Sequence, residues 1–242
     1  MHIKTSLNYS PNFSTSARNK KKIKYIVYHY TGMRSETKAL KRLTDDKAKV
    51  SCHYLIKRNG QIILIVPELY EAWHAGKSKW KKDISLNRNS IGVEITNKGH
   101  DFGYQSYSKK QMLSLIKLTK YLIKKYKIKS SNILGHSDIA FDRKKDPGEK
   151  FPWKYLASKK IGIWHKIEEI KLKKFRKKKI SNIEMTMFIK YLNKIGYFTK
   201  NLTNKKKLKL IKSFQRRFRQ NLINGKIDRE CLIIAEKLSK LF

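Results

Sequence analysis

Cysteine is nearly absent from the chain. Cys52 and Cys231 are the two in 242 residues, with no Cys-x-x-Cys spacing, which excludes a disulfide framework and predicts two buried free thiols. Long apolar runs are missing as well. No segment approaches the about 18 apolar residues of a membrane span. The opening stretch MHIKTSLNYSPNFSTSARNKKK has no apolar run of signal-peptide length, and its basic cluster follows the polar residues. The expectation is a soluble protein without a transmembrane segment, made and kept in the cytoplasm. Acidic residues are scarce: 18 Asp and Glu stand against 58 Lys and Arg, a formal net charge of +40. Such a surface attracts polyanions, including nucleic acids, anionic lipids and cell-wall polymers. Arginine is scarce too, 11 of the 58 basic residues, and Arg is the side chain that forks onto phosphates and base edges. A lysine excess without a nucleic-acid module therefore points away from specific nucleic-acid reading.

What is present reads as a globular chain. A hydrophobic share of 40% supports a packed core, and the length suits a medium domain plus a small one. Residues 1–22 are polar and read as irregular. A first strand spans about Lys24 to Tyr30, with Tyr25, Val27 and His29 on one face and Ile26, Tyr28 and Tyr30 on the other; both faces are largely apolar, as in a covered central strand. Ser35 caps a short helix to about Asp46. A hairpin follows, Cys52–Ile56 and Gln61–Val66, joined through Asn59-Gly60. EAWHAGKSKW (71–80) has no clear period and reads as a loop lining something. Ser90–Thr96 alternates, with Ile91, Val93 and Ile95 on one face and Gly92, Glu94 and Thr96 on the other. Ser108 and Gln111 form a capping box for a helix to about Lys127, which needs a sheet to cover, and Asn132–Leu134 is a last short strand.

After Trp153 the character changes. Residues 161–182 contain the charge-dense KIEEIKLKKFRKKKI and read as a basic linker, helical in part. Three amphipathic helices are then expected: one opened by the Ser181/Glu184 capping box and stopped at Gly196, one over about Lys205 to Gln220, and one capped by Asp228. The predicted organisation is an irregular segment 1–22, a catalytic domain 23–160, a linker 161–182 and a helical domain 183–242.

The chemistry gathers in ILGHSDIAFDRKKDPGEKFPW (133–153). His136 and Asp146 lie ten residues apart, a separation that only a folded-back loop can close. With His29 they offer two imidazoles and one carboxylate, a ligand set of the kind that leaves a fourth zinc position open to water. Glu94 could take a proton from that water, and Lys144 could stabilise charge growing on a carbonyl oxygen. Each residue also has a plain alternative, since a strand-end histidine is often structural and a strand glutamate often merely solvated.

YIVYHYTGM, VSCHYLIKRNGQIILIV, EAWHAGKSKW, NSIGVEITN and ILGHSDIAFDRKKDPGEKFPW, taken in this order, resemble the zinc-dependent N-acetylmuramoyl-L-alanine amidases, whose fold is shared with peptidoglycan recognition proteins and a phage lysozyme-amidase. The resemblance spans about half the chain. It implies an α/β fold with a central mixed β-sheet flanked by helices, zinc on His29, His136 and Asp146, and catalytic Glu94 and Lys144. It also implies that Trp73 and His74 border the substrate groove and that His53 lies near the site without being a ligand. Lys145 directly follows Lys144, and a one-residue shift would exchange them. FIKYLNKIGYF and SFQRRFRQNLINGKID resemble a small peptidoglycan-binding domain, giving a three-helix C-terminal unit.

The implied partner is peptidoglycan or a soluble anhydro-muropeptide, cut between N-acetylmuramic acid and L-alanine. A rival class is a non-catalytic recognition module on the same fold, which would be expected to lack part of the metal set. Missing export signals favour the cytoplasm and soluble fragments; the basic surface and the C-terminal unit favour intact wall and a periplasmic setting.

Overall fold

A computed structural model describes residues 3–242. Its strands are β1 (Ser6–Leu7), β2 (Phe13–Ser14), β3 (Tyr25–Tyr30), β4 (Tyr54–Ile56), β5 (Ile62–Leu64), β6 (Glu71–Ala72), β7 (Lys79–Trp80), β8 (Asp83–Ile84), β9 (Ser90–Ile95) and β10 (Ile133–Gly135). Its helices are α1 (Glu36–Thr44), α2 (Lys109–Tyr126), α3 (His136–Ile139), α4 (Trp153–Ser158), α5 (Glu169–Lys173), α6 (Asn182–Ile195), α7 (Asn204–Phe218) and α8 (Arg229–Ser239). Six strands form a mixed sheet in the order β1-β5-β4-β9-β3-β10. Only the β4–β5 hairpin is antiparallel; it turns at Asn59-Gly60, where Gly60 takes φ +88°.

The period-two pattern of β3 and β9 divides the sheet's surroundings. One face carries Ile26, Tyr28, Ile91, Val93 and Ile95 and packs against Met112, Leu115, Leu118 and Leu122 of α2. The Ser108–Gln111 capping box that opens α2 is formed. The other face presents Tyr25, Val27 and Leu134 to the C-terminal helices. Farther across that face, Leu55 and Ile63 pack with Cys52, Ile65 and Ala72. His29 and Glu94 lie on this second face, between those two apolar clusters.

Two expectations are refined. Within residues 3–22, largely irregular as expected, two short strands form: β1 extends the main sheet beside β5, and β2 pairs with β6. Ser10 and Asn12 are buried, and Asn12 donates to the Asp45 and Val50 carbonyls. Its polar side chains satisfy neighbouring backbone, so the hydrophobic pattern that betrays a strand is missing. The stretch 161–182 is helical in part, through α5, as expected, but it also buries Ile161 and Leu172, so it packs rather than merely connects.

Helices α6 and α8 begin at the expected caps, Ser181 and Asp228, while α7, expected from about Lys205, starts at Asn204 with Thr203 as its cap. Their core is continuous with the sheet's. Phe188, Phe214 and Phe218 pack in one cluster with Val27, Trp80 and Leu134. Trp80 meets the Tyr197 ring edge-on with centroids 4.9 Å apart, and Gly196, at φ +133°, leaves room for the indole that a Cβ would obstruct. Both cysteines are buried and free. Among the described residues no helix is long and apolar enough to cross a membrane.

A shared core predicts shared unfolding. Phe214→Ala, which empties a fully buried ring position, should destabilise the whole chain by about 3–5 kcal/mol. In urea followed by circular dichroism it should shift one transition; two separate transitions would show that the helices unfold independently of the sheet.

Candidate metal centre and active-site cavity

Parallel pairing puts His29 opposite Glu94 on adjacent strands, side chains on the same face. The pairing of β10 with β3 then delivers His136, the first residue of α3, beside His29. The loop beyond α3 folds back: the Ser137 N–H donates to the Asp146 carbonyl at 2.8 Å, and the Lys144 N–H to the Ala140 carbonyl at 2.9 Å. Tyr104 and Tyr107 both donate to the Pro147 carbonyl from the opposite side, at 2.8 and 2.7 Å. The ten-residue gap between His136 and Asp146 is closed in this way.

Three atoms converge. His29 Nδ1 and His136 Nδ1 lie 2.9 Å apart, and Asp146 Oδ2 is 3.1 Å from the first and 3.0 Å from the second. The outer hydrogen bonds determine what these atoms are. His136 Nε2 is 3.1 Å from the Ala75 carbonyl, which can only accept, and 3.4 Å from the Arg143 guanidinium, which can only donate; the shorter contact puts the proton on Nε2, and Nδ1 presents a lone pair. Ser90 Oγ donates to the Leu86 carbonyl at 2.5 Å, so it accepts from His74 Nε2 at 3.1 Å. His74 Nδ1 is then bare and accepts from His29 Nε2 at 3.0 Å. That leaves His29 Nδ1 bare too. Two imidazole lone pairs and a carboxylate oxygen thus face one another with no donor between them, an arrangement that calls for a cation. Zinc bonds of about 2.0–2.1 Å in a tetrahedron need donor atoms about 3.3 Å apart, close to the spacing seen, and the three residues form the metal-competent group among the described residues.

The electrostatics agree. Burial, reinforced by the neighbouring His136 and offset in part by Asp146, pushes His29 down to about 4, so both the tautomer and the neutral state suit a ligand. Burial works to raise Asp146, but a positive charge at this point, whether a protonated imidazole of the pair, His136 first, or a cation in its place, outweighs it and holds the carboxyl well below the usual range. Burial, then Asp146, raises Glu94 to about 8, with Lys144 opposing. Glu94 Oε2 is out of contact with solvent and has no hydrogen-bond partner, so the carboxylate is poised rather than tied.

These groups line one cavity of about 500 Å³, whose wall includes His29, Glu94, His136, Lys144, Lys145, Asp146, Trp73 and His74. Lys144 is half-buried and Lys145 exposed. Trp73 stands at the wall with its indole N–H donating to Ser14 Oγ at 3.3 Å. His74 is buried against Gly92, where a Cβ would overlap its ring, and spends its nitrogens on His29 and Ser90. His53 lies behind, its Nδ1 accepting from the Gly92 N–H at 2.9 Å, and takes no part in the cavity wall. Sequence reasoning missed Arg143, another wall residue, which donates to the Ala75 and Lys77 carbonyls at 2.5 and 2.8 Å. It was legible only as one of the few arginines in a lysine-dominated chain.

Comparison with known proteins gives a consistent picture. Residues 19–149 match the family model described as N-acetylmuramoyl-L-alanine amidase. The chain is 36% identical over 230 residues to N-acetylmuramoyl-L-alanine amidase AmiD of Escherichia coli (strain K12), covering 90% of this chain and 82% of that protein. Among solved structures, E. coli AmiD in complex with anhydro-N-acetylmuramic acid-L-Ala-D-gamma-Glu-L-Lys is similar at TM-score 0.80 and 34% identity, over 95% of this chain and 92% of that one. AmpDh3 from Pseudomonas aeruginosa in complex with anhydromuramic pentapeptide is similar at TM-score 0.80 and 29% identity, over 96% of each chain.

The raised Glu94 has a consequence for stability. Its proton stays on in the folded, metal-free chain up to about pH 8 but leaves the unfolded chain near 4.3. Unfolding therefore releases a proton between those values, and stability falls as pH rises through that window, with the loss complete above about 8. Glu94→Gln should remove that slope. After zinc chelation it should melt with the parent at about pH 4 and roughly 10 °C or more above it at about pH 9; equal melting temperatures at both ends would contradict the burial of this carboxyl.

Proposed function

The chain belongs to the N-acetylmuramoyl-L-alanine amidase family, and from that premise we propose that it is a one-zinc hydrolase cutting the amide bond between the lactyl group of N-acetylmuramic acid and L-alanine of the stem peptide. The observation that carries this reading is the convergence of three bare donor atoms beside an unpartnered carboxylate in one cavity. His29, His136 and Asp146 would hold the ion. Zinc bound there supplies a Lewis acid that acidifies water and polarises the scissile carbonyl.

The chain's own groups do the rest. Glu94 accepts the proton of the attacking water at its carboxylate and hands it to the departing L-alanine nitrogen. Its elevated proton affinity suits both halves of that transfer. The Lys144 ammonium stabilises negative charge growing on the carbonyl oxygen. Its half-buried position, and its field at both Glu94 and His29, favour it over the exposed Lys145. Trp73 flanks the groove. His74 acts behind the wall, holding His29 in the tautomer whose Nδ1 faces the cavity. A module that merely held muropeptides would have no use for a half-buried Glu94 whose Oε2 is sealed from solvent without a partner.

The substrate is a muramyl peptide, in line with the anhydromuramyl peptides held by the two similar structures. Incubating the enzyme separately with whole sacculi and with soluble anhydro-muropeptides, and weighing the released peptides by mass spectrometry, identifies the form it cuts. Release of stem peptide from neither would sink the amidase reading.

Glu94→Ala should keep stoichiometric zinc and lose about 10²-fold or more in kcat, whereas His136→Ala should lose both metal and turnover; atomic absorption with single-turnover kinetics separates the two. The lysines are told apart in the same assay. Lys144→Met should cost kcat about 10²-fold or more and Lys145→Met less than about threefold, and the reverse ranking would reassign the role.

A further inference from the structure

One face of α7 is occupied by polar side chains that the proposed reaction does not use. Lys209, Ser213, Arg216 and Arg217, with Gln220 just past the helix end, recur at helical spacing, and each reaches the segment 133–153. Lys209 donates to the Asp142 carbonyl, Ser213 Oγ to the Ser137 carbonyl at 2.6 Å, and Gln220 to the Phe151 carbonyl at 2.7 Å. Arg216 lies 3.4 Å from the Glu149 carboxylate. Arg217 is the centre of the row. One of its guanidinium nitrogens pairs with Asp138 Oδ2, the other donates to the Ile133 carbonyl at 3.0 Å, and the plane stacks over Trp153 at 4.2 Å. Tyr197, from the end of α6, donates to the other Asp138 oxygen at 2.7 Å.

Asp138 sits two residues after His136 in the single turn of α3. Its Oδ2 also accepts from the Gly135 N–H at 2.7 Å, so one carboxylate ties the strand end, the turn and the C-terminal helices together. The Asp138 and Arg217 side chains are 1% and 2% exposed. A buried carboxylate that loses its only charged partner must hydrate or move, and here it would take the His136 turn with it. A metal ligand must be held within about 0.5 Å to function.

We infer that Arg217 and Tyr197 are positioning residues for the metal centre: acting through Asp138, they set the His136 turn, so that the C-terminal helices complete the site rather than hang from it. This rests on the zinc amidase reading and adds a role that reading does not require. Substrate contact is not involved, so the effect should fall on metal retention and kcat rather than on KM.

The test compares the full chain with its Arg217→Met, Arg217→Lys and Tyr197→Phe variants. Amide hydrogen exchange on the zinc-free proteins reports the loop, zinc transfer to a chelator reports the metal, and muropeptide hydrolysis gives kcat and KM. Arg217→Met should raise exchange about tenfold or more within residues 135–148 while leaving β3, β9 and α8 protected. Zinc transfer should be about tenfold faster, and kcat about tenfold lower with KM within twofold. Arg217→Lys, which keeps the charge but not the fork, should recover part of each loss. Tyr197→Phe should move the same readouts about threefold, and it carries the test if Arg217→Met does not fold. Unchanged loop exchange and zinc transfer in the folded variants, or exchange raised evenly across sheet and helices, would overturn the proposal. A parent chain that binds zinc but leaves muropeptides intact would instead overturn the amidase reading, with exchange and zinc transfer still deciding the positioning role.

Discussion

Three electron-rich atoms within 3.1 Å of one another repel, and much of the surrounding structure works to keep them together. Strand pairing supplies the first two: β3 lies between β9 and β10, so His29 and the turn bearing His136 arrive side by side. Backbone closure of the loop supplies the third. Behind each of the two histidines stands a group that favours one orientation and one tautomer: Ala75 for His136, and the His74–Ser90–Leu86 chain for His29. Glycines make this possible at two points. Gly92 admits the His74 ring and Gly148 the Tyr104 hydroxyl, each against backbone that a Cβ would obstruct.

The charge distribution separates by side-chain type. Lysine supplies most of the net charge of +40 and sits largely on solvated faces. The cations inside are arginines. Arg217 holds Asp138, while Arg219 pairs with Asp228 at 2.5 Å and lies 3.6 Å from Glu230, which Arg176 holds in turn at 2.7 Å. A planar guanidinium that never loses its proton can satisfy two acceptors at once in a dry site, which an ammonium on a flexible stem does poorly. The scarcity of Arg therefore carried more structural information than the abundance of Lys. An Arg that is itself buried beside Phe214 and Phe218, as Arg217 is, marks a buried partner.

Period-two strands, capping boxes and the Asn-Gly turn were legible because each is a local rule with a local cause. β3, β9, α2 and α6 lie within a residue or two of their expected ends. The His, His, Asp and Glu set could be assembled from strand faces and motif resemblance. What escaped was whatever is satisfied at long range. The strands of segment 1–22 are stabilised by pairing with β5 and β6 and by hydrogen bonds to distant carbonyls, which leave no apolar period. The burial of Leu172 inside a lysine-rich stretch depends on the core it meets.

Residue order alone settles which chemical groups are available and which face of each element carries them, because side-chain alternation and capping act over a few residues. That β10 lies beside β3, that the loop closes on Asp146, and that a helix some eighty residues onward holds Asp138 is settled by the folded chain. Those are contacts between distant segments. Their energies depend on burial and exact placement, which no local pattern encodes.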